Sequence, residues 1–331
     1  MLKQILCSLL VGGAVLISSG VSHTDKNENT LKPYLSITET LYTDESQTEM
    51  ASNCIVYDLD KQKLNIMGQV PYTSGTPLTT YSDRTNSIMF TYLSELGDQV
   101  YKTEKNSFKK ITNELAITNS MFQCGDKLFL SSIYLNHYCT EPVVIDLSDG
   151  EVKSVYPDEK DDRFTWSTTC DPKNNKAYFT YYSDSLSREN IEKYNQEQHP
   201  INDDATPIPA PSTFCSVDMD TLEVTPVYTA EEYIWGIAVS GDDLYYSSSA
   251  SGTSNKKNYA VYHVNLKTKE KTKLDLPVHI SGDMAIWNNT IYCIGWIGET
   301  RGVYSINLDT LESNLIYTSD TGFINQISLN Y

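Results

Sequence analysis

An apolar segment that ends in a polar residue and a short turn recurs along the chain. Six copies share this pattern, at IVYDLDKQKLN (55–65), VYKTEKNSFKK (100–110), VIDLSDGEVKS (144–154), SVDMDTLEVTP (216–226), HVNLKTKEKTK (263–273) and SINLDTLESNL (305–315). The equivalent polar positions are Asp58, Lys102, Asp146, Asp218, Asn265 and Asn307, at intervals of 44, 44, 72, 47 and 42 residues. A nearly fixed period of this length indicates an array of structural repeats.

A second pattern precedes most of these copies, in which two alternating apolar segments flank a turn rich in Gly, Asp or Asn. It occurs as SMFQCGDKLFLSS, STTCDPKNNKAYFTYY, IAVSGDDLYYSSS and MAIWNNTIYCIG. Alternation with a period of two around such turns is typical of β-hairpins. Each period therefore contains four strands, A to D, which is the content of one β-propeller blade. The sequence predicts an all-β fold, a six-bladed β-propeller with four antiparallel strands per blade.

The two ends of the chain complement each other. The first copy has strands B (34–43), C and D without a preceding A strand, whereas the chain finishes with a lone strand, FINQISLNY (323–331). Pairing this last strand with the first three would complete one blade and remove two exposed sheet edges. We therefore expect residues 323–331 to form the innermost strand of the first blade and to close the ring.

The long interval of 72 residues indicates an insertion, residues 185–211, between strands B and C of blade four. Ser187 is a possible helix N-cap, and the prolines from Pro200 to Pro211 favour an extended return path. Long loops on a rigid scaffold are usually functional or disordered. We expect the insertion to lie over or beside the channel mouth as a lid or a partner contact, with disorder as the alternative.

The first 22 residues have the organisation of a signal peptide. Lys3 precedes an apolar run, Ile5 to Ile17, and a small polar stretch that ends at Ser22. The run has 13 residues, which is shorter than a membrane-spanning helix. Val21 stands where a lipoprotein would need its lipidated cysteine. We predict a signal peptide (1–22), a flexible tether (23–33) and a propeller (34–331) that is secreted or associated with the cell surface, without membrane insertion after cleavage.

Charge narrows the range of partners. The chain has 25 Lys and Arg residues against 43 Asp and Glu residues, which gives a formal net charge of −18. Such a surface repels polyphosphates and anionic lipids. Nucleic acid and membrane surfaces are therefore poor candidates as partners.

Six cysteines remain after signal cleavage: Cys54, Cys124, Cys139, Cys170, Cys215 and Cys293. In an exported protein they allow 15 disulfide pairings. None has zinc-site spacing, and most lie within apolar strands, where a free cysteine packs as a small hydrophobic residue. Buried free thiols are favoured over a disulfide framework.

No local motif identifies a reaction. The chain lacks a GxSxG elbow, an HExxH motif, a P-loop and an EF-hand loop. Acidic pairs such as Asp58/Asp60 and Asp218/Asp220 offer carboxylates to a cation, but they fall at the repeated C-to-D turn, where Asp and Asn close hairpins. The sequence therefore predicts no cofactor and no metal site.

The blocks DDLYYSSS to YAVYHVNLKTKEKTKL and NTIYCIGW to GVYSINLDTLESNLIY resemble blades of the six-bladed, TolB-like propellers of exported bacterial proteins. That group includes uncharacterised families related to the YWTD repeats of lipoprotein receptors. The resemblance covers nearly the whole mature chain and concerns strands and turns. No blade contains an intact YWTD tetrad, so the resemblance implies the fold and not the ligands of those receptors.

In a propeller, the starts of the A strands surround the mouth of the central channel, where ligands usually bind. The alignment of the repeats places eight ligand-binding candidates there: Asn119, Arg163, Trp166, Tyr233, Trp235, His279, Asp283 and Asn325. Aromatic faces beside amides and carboxylates suit a sugar or a peptide side chain. The alternative is that Trp166 and Trp235 fill space between neighbouring blades.

Three functions are compatible with these features. The first is a monomeric, non-enzymatic propeller that binds a protein, peptide or glycan at the cell envelope. The second is a glycan- or peptide-active enzyme, such as a lyase, hydrolase or cyclotransferase, with its catalytic groups converging at the channel mouth. The third is a structural component of a larger envelope assembly. Since fold does not imply function, the arrangement of residues at the channel mouth must distinguish these three functions.

Overall fold

The computed structural model describes residues 33–156, 161–197, 207–249 and 259–331. The predicted signal peptide (1–22), the tether up to residue 32 and residues 198–206 of the insertion lie outside the described residues. Within the described ranges, the strands form six antiparallel sheets of four strands each. No helix in these ranges is long and apolar enough to cross a membrane.

The strands follow the chain from blade to blade, with the innermost strand first in each sheet. Blade 1 contains β24 (Gly322–Asn330), β1 (Tyr34–Tyr42), β2 (Met50–Asp58) and β3 (Lys63–Pro71); blade 2 contains β4 (Thr79–Ser82), β5 (Ser87–Ser94), β6 (Gly97–Thr103) and β7 (Phe108–Lys110); blade 3 contains β8 (Leu115–Cys124), β9 (Lys127–Tyr134), β10 (Glu141–Asp146) and β11 (Val152–Ser154). Blade 4 contains β12 (Arg163–Asp171), β13 (Lys176–Ser183), β14 (Ser212–Asp218) and β15 (Val224–Ala230); blade 5 contains β16 (Tyr233–Ser240), β17 (Asp243–Ser249), β18 (Ala260–Asn265) and β19 (Lys271–Leu274); blade 6 contains β20 (His279–Trp287), β21 (Thr290–Ile297), β22 (Thr300–Asn307) and β23 (Ser313–Tyr317). A short 3-10 helix (Pro172–Asn174) and one α-helix, α1 (Asp184–Gln196), complete the described elements. The predicted six-bladed propeller is confirmed.

The recurring Asp or Asn at the end of strand C closes the C-to-D turn. The Asp218 carboxylate accepts hydrogen bonds from the backbone N–H groups of Asp220 and Thr221, at 3.0 and 2.9 Å. The side-chain oxygens of Asp58, Asp146, Asn265 and Asn307 accept equivalent bonds. The residue four positions later has a positive φ, as at Leu222 (60°) and Gly150 (81°). Side-chain acceptors of this kind stabilise tight turns, so these carboxylates serve the turn.

The hydrophobic core is divided among the six interfaces between adjacent blades. Each buried cluster draws residues from two neighbouring sheets, such as Ile37 and Ile327 of blade 1 with Ile294 of blade 6. Both faces of each sheet are therefore covered, which explains the long apolar runs in the inner strands. The six cysteines of the described residues are free and buried among these side chains. Desolvation raises the pKa of the Cys54 thiol to about 12.

Pairing of β24 with β1 closes the ring. The register joins Tyr34 to Asn330 at one end and Leu41 to Gly322 at the other. The predicted role of residues 323–331 as the innermost strand of the first blade is therefore confirmed, with strand bounds that differ by one residue. Ile327 is fully buried in this strand and packs into the interface between blades 6 and 1.

We expect Ile327→Ala to lower the free energy of unfolding by about 2–5 kcal/mol, because it leaves a cavity at the seam of the ring. Leu315→Ala is the matched control on exposed β23 and should change it by less than about 1 kcal/mol. Deletion of Phe323 to Tyr331 should cost more than Ile327→Ala. Urea unfolding followed by circular dichroism measures all three, and an unchanged stability after the deletion would contradict closure through this strand.

Candidate functional site

The strand registers define the two rims of the propeller. In blade 4, Arg163 at the start of the A strand pairs with Ser183 at the end of B, and Ser212 at the start of C pairs with Ala230 at the end of D. The B-to-C loops and D-to-A connections therefore share one rim, which we call the upper rim. The A-to-B and C-to-D turns form the lower rim.

Five of the six innermost strands are interrupted by a β-bulge near the upper rim. The shifts in register leave one to three residues unpaired in each of these strands, among them Asn119 in β8, Trp166 in β12, Trp235 in β16, Asp283 in β20 and Asn325 in β24. We call these five residues the bulge ring. All five are among the eight residues that the sequence indicated. Bulges redirect side chains and commonly occur beside binding sites.

Three members of the bulge ring follow one another along a continuous arc. The Trp166 and Trp235 ring centroids lie 4.7 Å apart, with a tilt of 50° between the ring planes. Next to Trp235, the backbone of Gly236 approaches Gly282 so closely that a Cβ on Gly236 would lie 2.4 Å from the Gly282 carbonyl oxygen. Asp283 follows Gly282. This close approach requires glycine and brings together the strand segments that carry Trp235 and Asp283.

The Asp283 carboxylate lies in the channel between blades 6 and 1. Its Oδ2 accepts a hydrogen bond of 3.2 Å from the Ile327 N–H, and no described residue donates a hydrogen bond to Oδ1. Desolvation outweighs this bond and raises the pKa of Asp283 to about 7.

The Gln326 side chain crosses the channel immediately below the bulge ring. It accepts from the Met121 N–H at 3.3 Å and donates to the Met121 carbonyl oxygen at 2.5 Å. These bonds connect blade 1 directly to blade 3, which is not its neighbour in the ring. They can form because β4, the innermost strand of the intervening blade 2, is only four residues long. Gln326 is 2 % exposed. The channel mouth is therefore a shallow recess with a polar floor.

The other sequence-predicted residues are engaged by neighbouring side chains. Arg163 forms an ion pair with Asp161, and its guanidinium carbon lies 3.4 Å from the centroid of the Tyr156 ring. The His279 and Tyr259 ring centroids are 4.0 Å apart. These contacts hold both basic groups against the blade interfaces. Among the described residues, no group of three or more His, Cys, Asp and Glu side chains is arranged to hold a metal ion.

The Asn325 amide also forms hydrogen bonds within the propeller. It donates to the Thr40 hydroxyl at 2.7 Å and to the Pro77 carbonyl oxygen at 3.1 Å. Asn119, by contrast, is exposed at its bulge. Of the bulge ring, Asn119, Trp166, Trp235 and Asp283 thus keep polar or aromatic groups available to a ligand.

Helix α1 begins one turn earlier than the sequence indicated. Its N-cap is Ser183, whose hydroxyl accepts from the Leu186 N–H at 3.1 Å, so the expected N-cap role of Ser187 is wrong. Asp162 supplies a second anchor by accepting from the Ser185 N–H at 2.9 Å. Since Ser183 ends β13, this capping fixes the helix directly to the blade.

Ser187 has a different role, because its hydroxyl lies 2.5 Å from the Tyr233 hydroxyl at the start of β16. This hydrogen bond links the insertion of blade 4 to the first residue of blade 5. The described part of the insertion therefore stands on the upper rim beside Tyr233, one of the residues that the sequence placed at the channel mouth.

The upper rim also presents most of the exposed large apolar side chains. Among the described residues, 12 of 16 such side chains lie there: Tyr92, Leu93, Leu96, Ile117, Tyr138, Trp166, Leu186, Ile191, Ile208, Trp296, Ile297 and Phe323. Trp296 and Phe323 are 39 % and 43 % exposed. Of these side chains, only Trp166 was predicted from the sequence to lie at the site. The clearest sign of these exposed side chains in the sequence was the apolar pair Trp296–Ile297 directly before the Gly298 turn, where polar residues are expected.

A groove of about 570 Å³ lies elsewhere, on the lower rim between blades 6 and 1. Its lining includes Tyr57, Leu64, Tyr292, Asn307 and Ile316. None of the eight sequence-predicted site residues contributes to it. It is separate from the channel mouth.

No protein-family model matches this chain, and no curated protein matches it. Solved structures do share its fold. One chain of the crystal structure of a nidogen/laminin complex matches with a TM-score of 0.59 and 10% identity, over 90% of this chain and 98% of the matched chain. TolB from Acinetobacter baumannii matches with a TM-score of 0.53 and 14% identity over 90% of this chain and 66% of the TolB chain. A putative TolB from Agrobacterium tumefaciens matches with a TM-score of 0.54 and 11% identity over 91% of this chain and 99% of its own. The predicted resemblance to TolB-like and YWTD-related propellers is confirmed at the level of the fold.

We expect Asp283→Asn to change how stability depends on pH. Because folding raises the pKa of Asp283 from 3.8 to about 7, its contribution to stability is fully present below pH 4 and is lost as the pH rises through 7. Asn keeps the acceptor for Ile327 without the buried charge. The variant should therefore gain about 1–3 kcal/mol relative to the wild type between pH 4 and pH 8.

Chemical denaturation at pH 4, 6 and 8 measures this difference. Asp220→Asn is the matched control, since the Asp220 side chain is 77% exposed and already hydrated. An Asp283→Asn variant whose stability relative to the wild type stays constant from pH 4 to pH 8 would show that the carboxylate is not desolvated in the channel.

Proposed function

We propose that this protein is an exported, non-enzymatic propeller whose upper rim binds a protein partner. The observation that carries the proposal is the concentration of exposed apolar side chains on one rim of a rigid ring. Extended apolar surface surrounded by polar residues is typical of protein interaction sites. A glycan would instead need a dense set of hydrogen-bonding groups beside its aromatic platform.

Two parts of the rim have the composition of interface anchors. On blade 6, the Arg301 guanidinium lies 5.9 Å from the Trp296 ring and donates to the Ile324 carbonyl oxygen at 3.2 Å. On blades 4 and 5, Trp166 and Trp235 are in contact. Trp and Arg are enriched among residues that dominate binding energy, particularly where neighbouring contacts already fix their conformation.

Helix α1 extends this surface. Its cap on Asp162 and the bond from Ser187 to Tyr233 fix its base, while Leu186 and Ile191 remain exposed. A helix held in this way adds apolar area without the entropic cost of ordering a free loop. We infer that α1 is a partner contact at the edge of the channel mouth.

Engagement of the basic groups by the scaffold favours binding over catalysis. Arg163 is held by Asp161 and Tyr156, and His279 lies against Tyr259; none of these contacts forms an acid–base pair with Asp283. At the level of fold, the similarity to a structure of a protein–protein complex supports protein as the ligand class.

The proposal is tested by photo-crosslinking in the source cells. A photoreactive amino acid at Ile297 or Leu96 on the upper rim should capture one defined protein, whereas the same probe at Leu311 on the lower rim should not. With that protein purified, Trp296→Ser combined with Phe323→Ser should weaken binding at least ~10-fold, because these side chains supply buried apolar area at the interface.

Phe108→Ser combined with Leu315→Ser is the matched control, since both residues are exposed apolar side chains away from the upper rim. It should bind as the wild type does. Equal crosslinking from both rims, or full affinity after loss of Trp296 and Phe323, would contradict a protein-binding upper rim.

Export is tested separately. We expect the mature protein to begin close to His23 and to be found outside the cytoplasm, because residues 1–22 have the pattern of a signal peptide. Mass spectrometry of the N-terminal peptide in culture supernatant and cell fractions measures this. Recovery of the intact chain from Met1 in the cytoplasm would contradict export.

A further inference from the structure

The negative charge of this protein is distributed unequally between its two rims. In the described segments between strands, the upper rim has 16 carboxylates and two basic residues, whereas the lower rim has 12 carboxylates and six basic residues. The two basic residues in the described upper-rim segments between strands, Arg188 and Lys193, are paired with Asp184 and Glu189 of their own helix. The proposed binding face is thus strongly acidic, and it favours a partner with the opposite charge.

The centre of this face combines aromatic rings with an available carboxylate. Trp166 lies between Trp235 and Phe164, with ring centroids 4.7 and 6.1 Å away, and is still 38% exposed, so part of its indole is accessible to a ligand. The close approach of Gly236 to Gly282 brings together the strand segments that carry Trp235 and Asp283, and the Asp283 Oδ1 receives no hydrogen bond from any described residue. Aromatic faces attract cations, and a carboxylate forms its strongest hydrogen bonds with charged donors.

Other ligand classes fit this recess less well. An anionic group would be repelled by Asp283 and by the acidic rim. A purely apolar side chain would bury Oδ1 without a hydrogen bond, which costs free energy. A sugar would find one carboxylate oxygen and the exposed Asn119, because the Asn325 amide is occupied by Thr40 and Pro77.

We propose that the channel mouth receives a basic side chain, a lysine or arginine of the bound protein, with its cation between the tryptophan pair and Asp283. This inference rests on the proposed function, because it specifies what the protein partner presents to the centre of the upper rim.

A minimal probe tests the recess without the partner. N-acetyl-lysinamide is titrated into the full-length protein while the four tryptophan indole N–H signals are followed by NMR. We expect saturable shifts of Trp166 and Trp235 and no shift of Trp287, which packs against Tyr331 at the lower rim. N-acetyl-norleucinamide, which lacks the ammonium group, should leave all four signals in place.

Substitution of Asp283 tests whether its carboxylate binds the ammonium group of the probe. Asp283→Asn keeps the side-chain shape and should weaken binding of N-acetyl-lysinamide about 10-fold, since it removes the charge from the hydrogen-bond acceptor. Glu299→Gln is the matched control, with the same change in net charge on an exposed residue of the same blade. It should change the affinity by less than about twofold because solvent screens it.

Three results would overturn the inference: no saturable shift with N-acetyl-lysinamide, equal shifts with N-acetyl-norleucinamide, or equal affinities for Asp283→Asn and the wild type. Any of them, with partner binding still lost in Trp296→Ser/Phe323→Ser, would remove the cation site and leave the protein-binding rim intact. If instead the probe shifts depend on Asp283 while the rim variant keeps its affinity, the cation site is supported and the proposed binding rim fails.

Discussion

The ladder between the last and the first strand of the ring is the interaction on which the rest of the structure depends. A propeller buries its apolar side chains between blades, so each blade needs a neighbour on both sides. With β24 paired to β1, the interface formed by Ile37, Ile294 and Ile327 is sealed, and all six interfaces become equivalent. The same pairing places Gln326 where it reaches Met121 across the channel. Closure therefore fixes the depth of the channel mouth as well as the stability of the ring.

The fold was predictable because it repeats. Strand alternation and the Asp or Asn of the C-to-D turn are local features, and residues such as Asp218 and Asn307 cap their turns by bonds within four residues. The alignment of repeats also placed Trp166, Trp235 and Asp283 at equivalent depths. The feature that they share, a bulge in the strand that carries each of them, was not visible in the sequence, because a shift in register depends on pairing with the neighbouring strand.

The remaining features of the site depend on contacts between distant segments. Nothing near Gly282 in the sequence reveals that Gly236 approaches it, and nothing near Ser187 indicates a bond to Tyr233. Arg163 and His279 have the chemistry of catalytic groups, yet contacts across the blade interfaces occupy both. Exposure is likewise a tertiary property, which is why the apolar rim around Trp296 emerged only from the folded ring.

These features describe a surface with an apolar rim, an acidic periphery and an aromatic centre that contains one carboxylate. The proposal that a protein binds across this upper rim is tested most directly by hydrogen–deuterium exchange of the free and partner-bound protein. The account predicts slower exchange in α1, in the turn between β21 and β22 and at the start of β24, with the C-to-D turns unchanged. Protection confined to the C-to-D turns of the lower rim would contradict it.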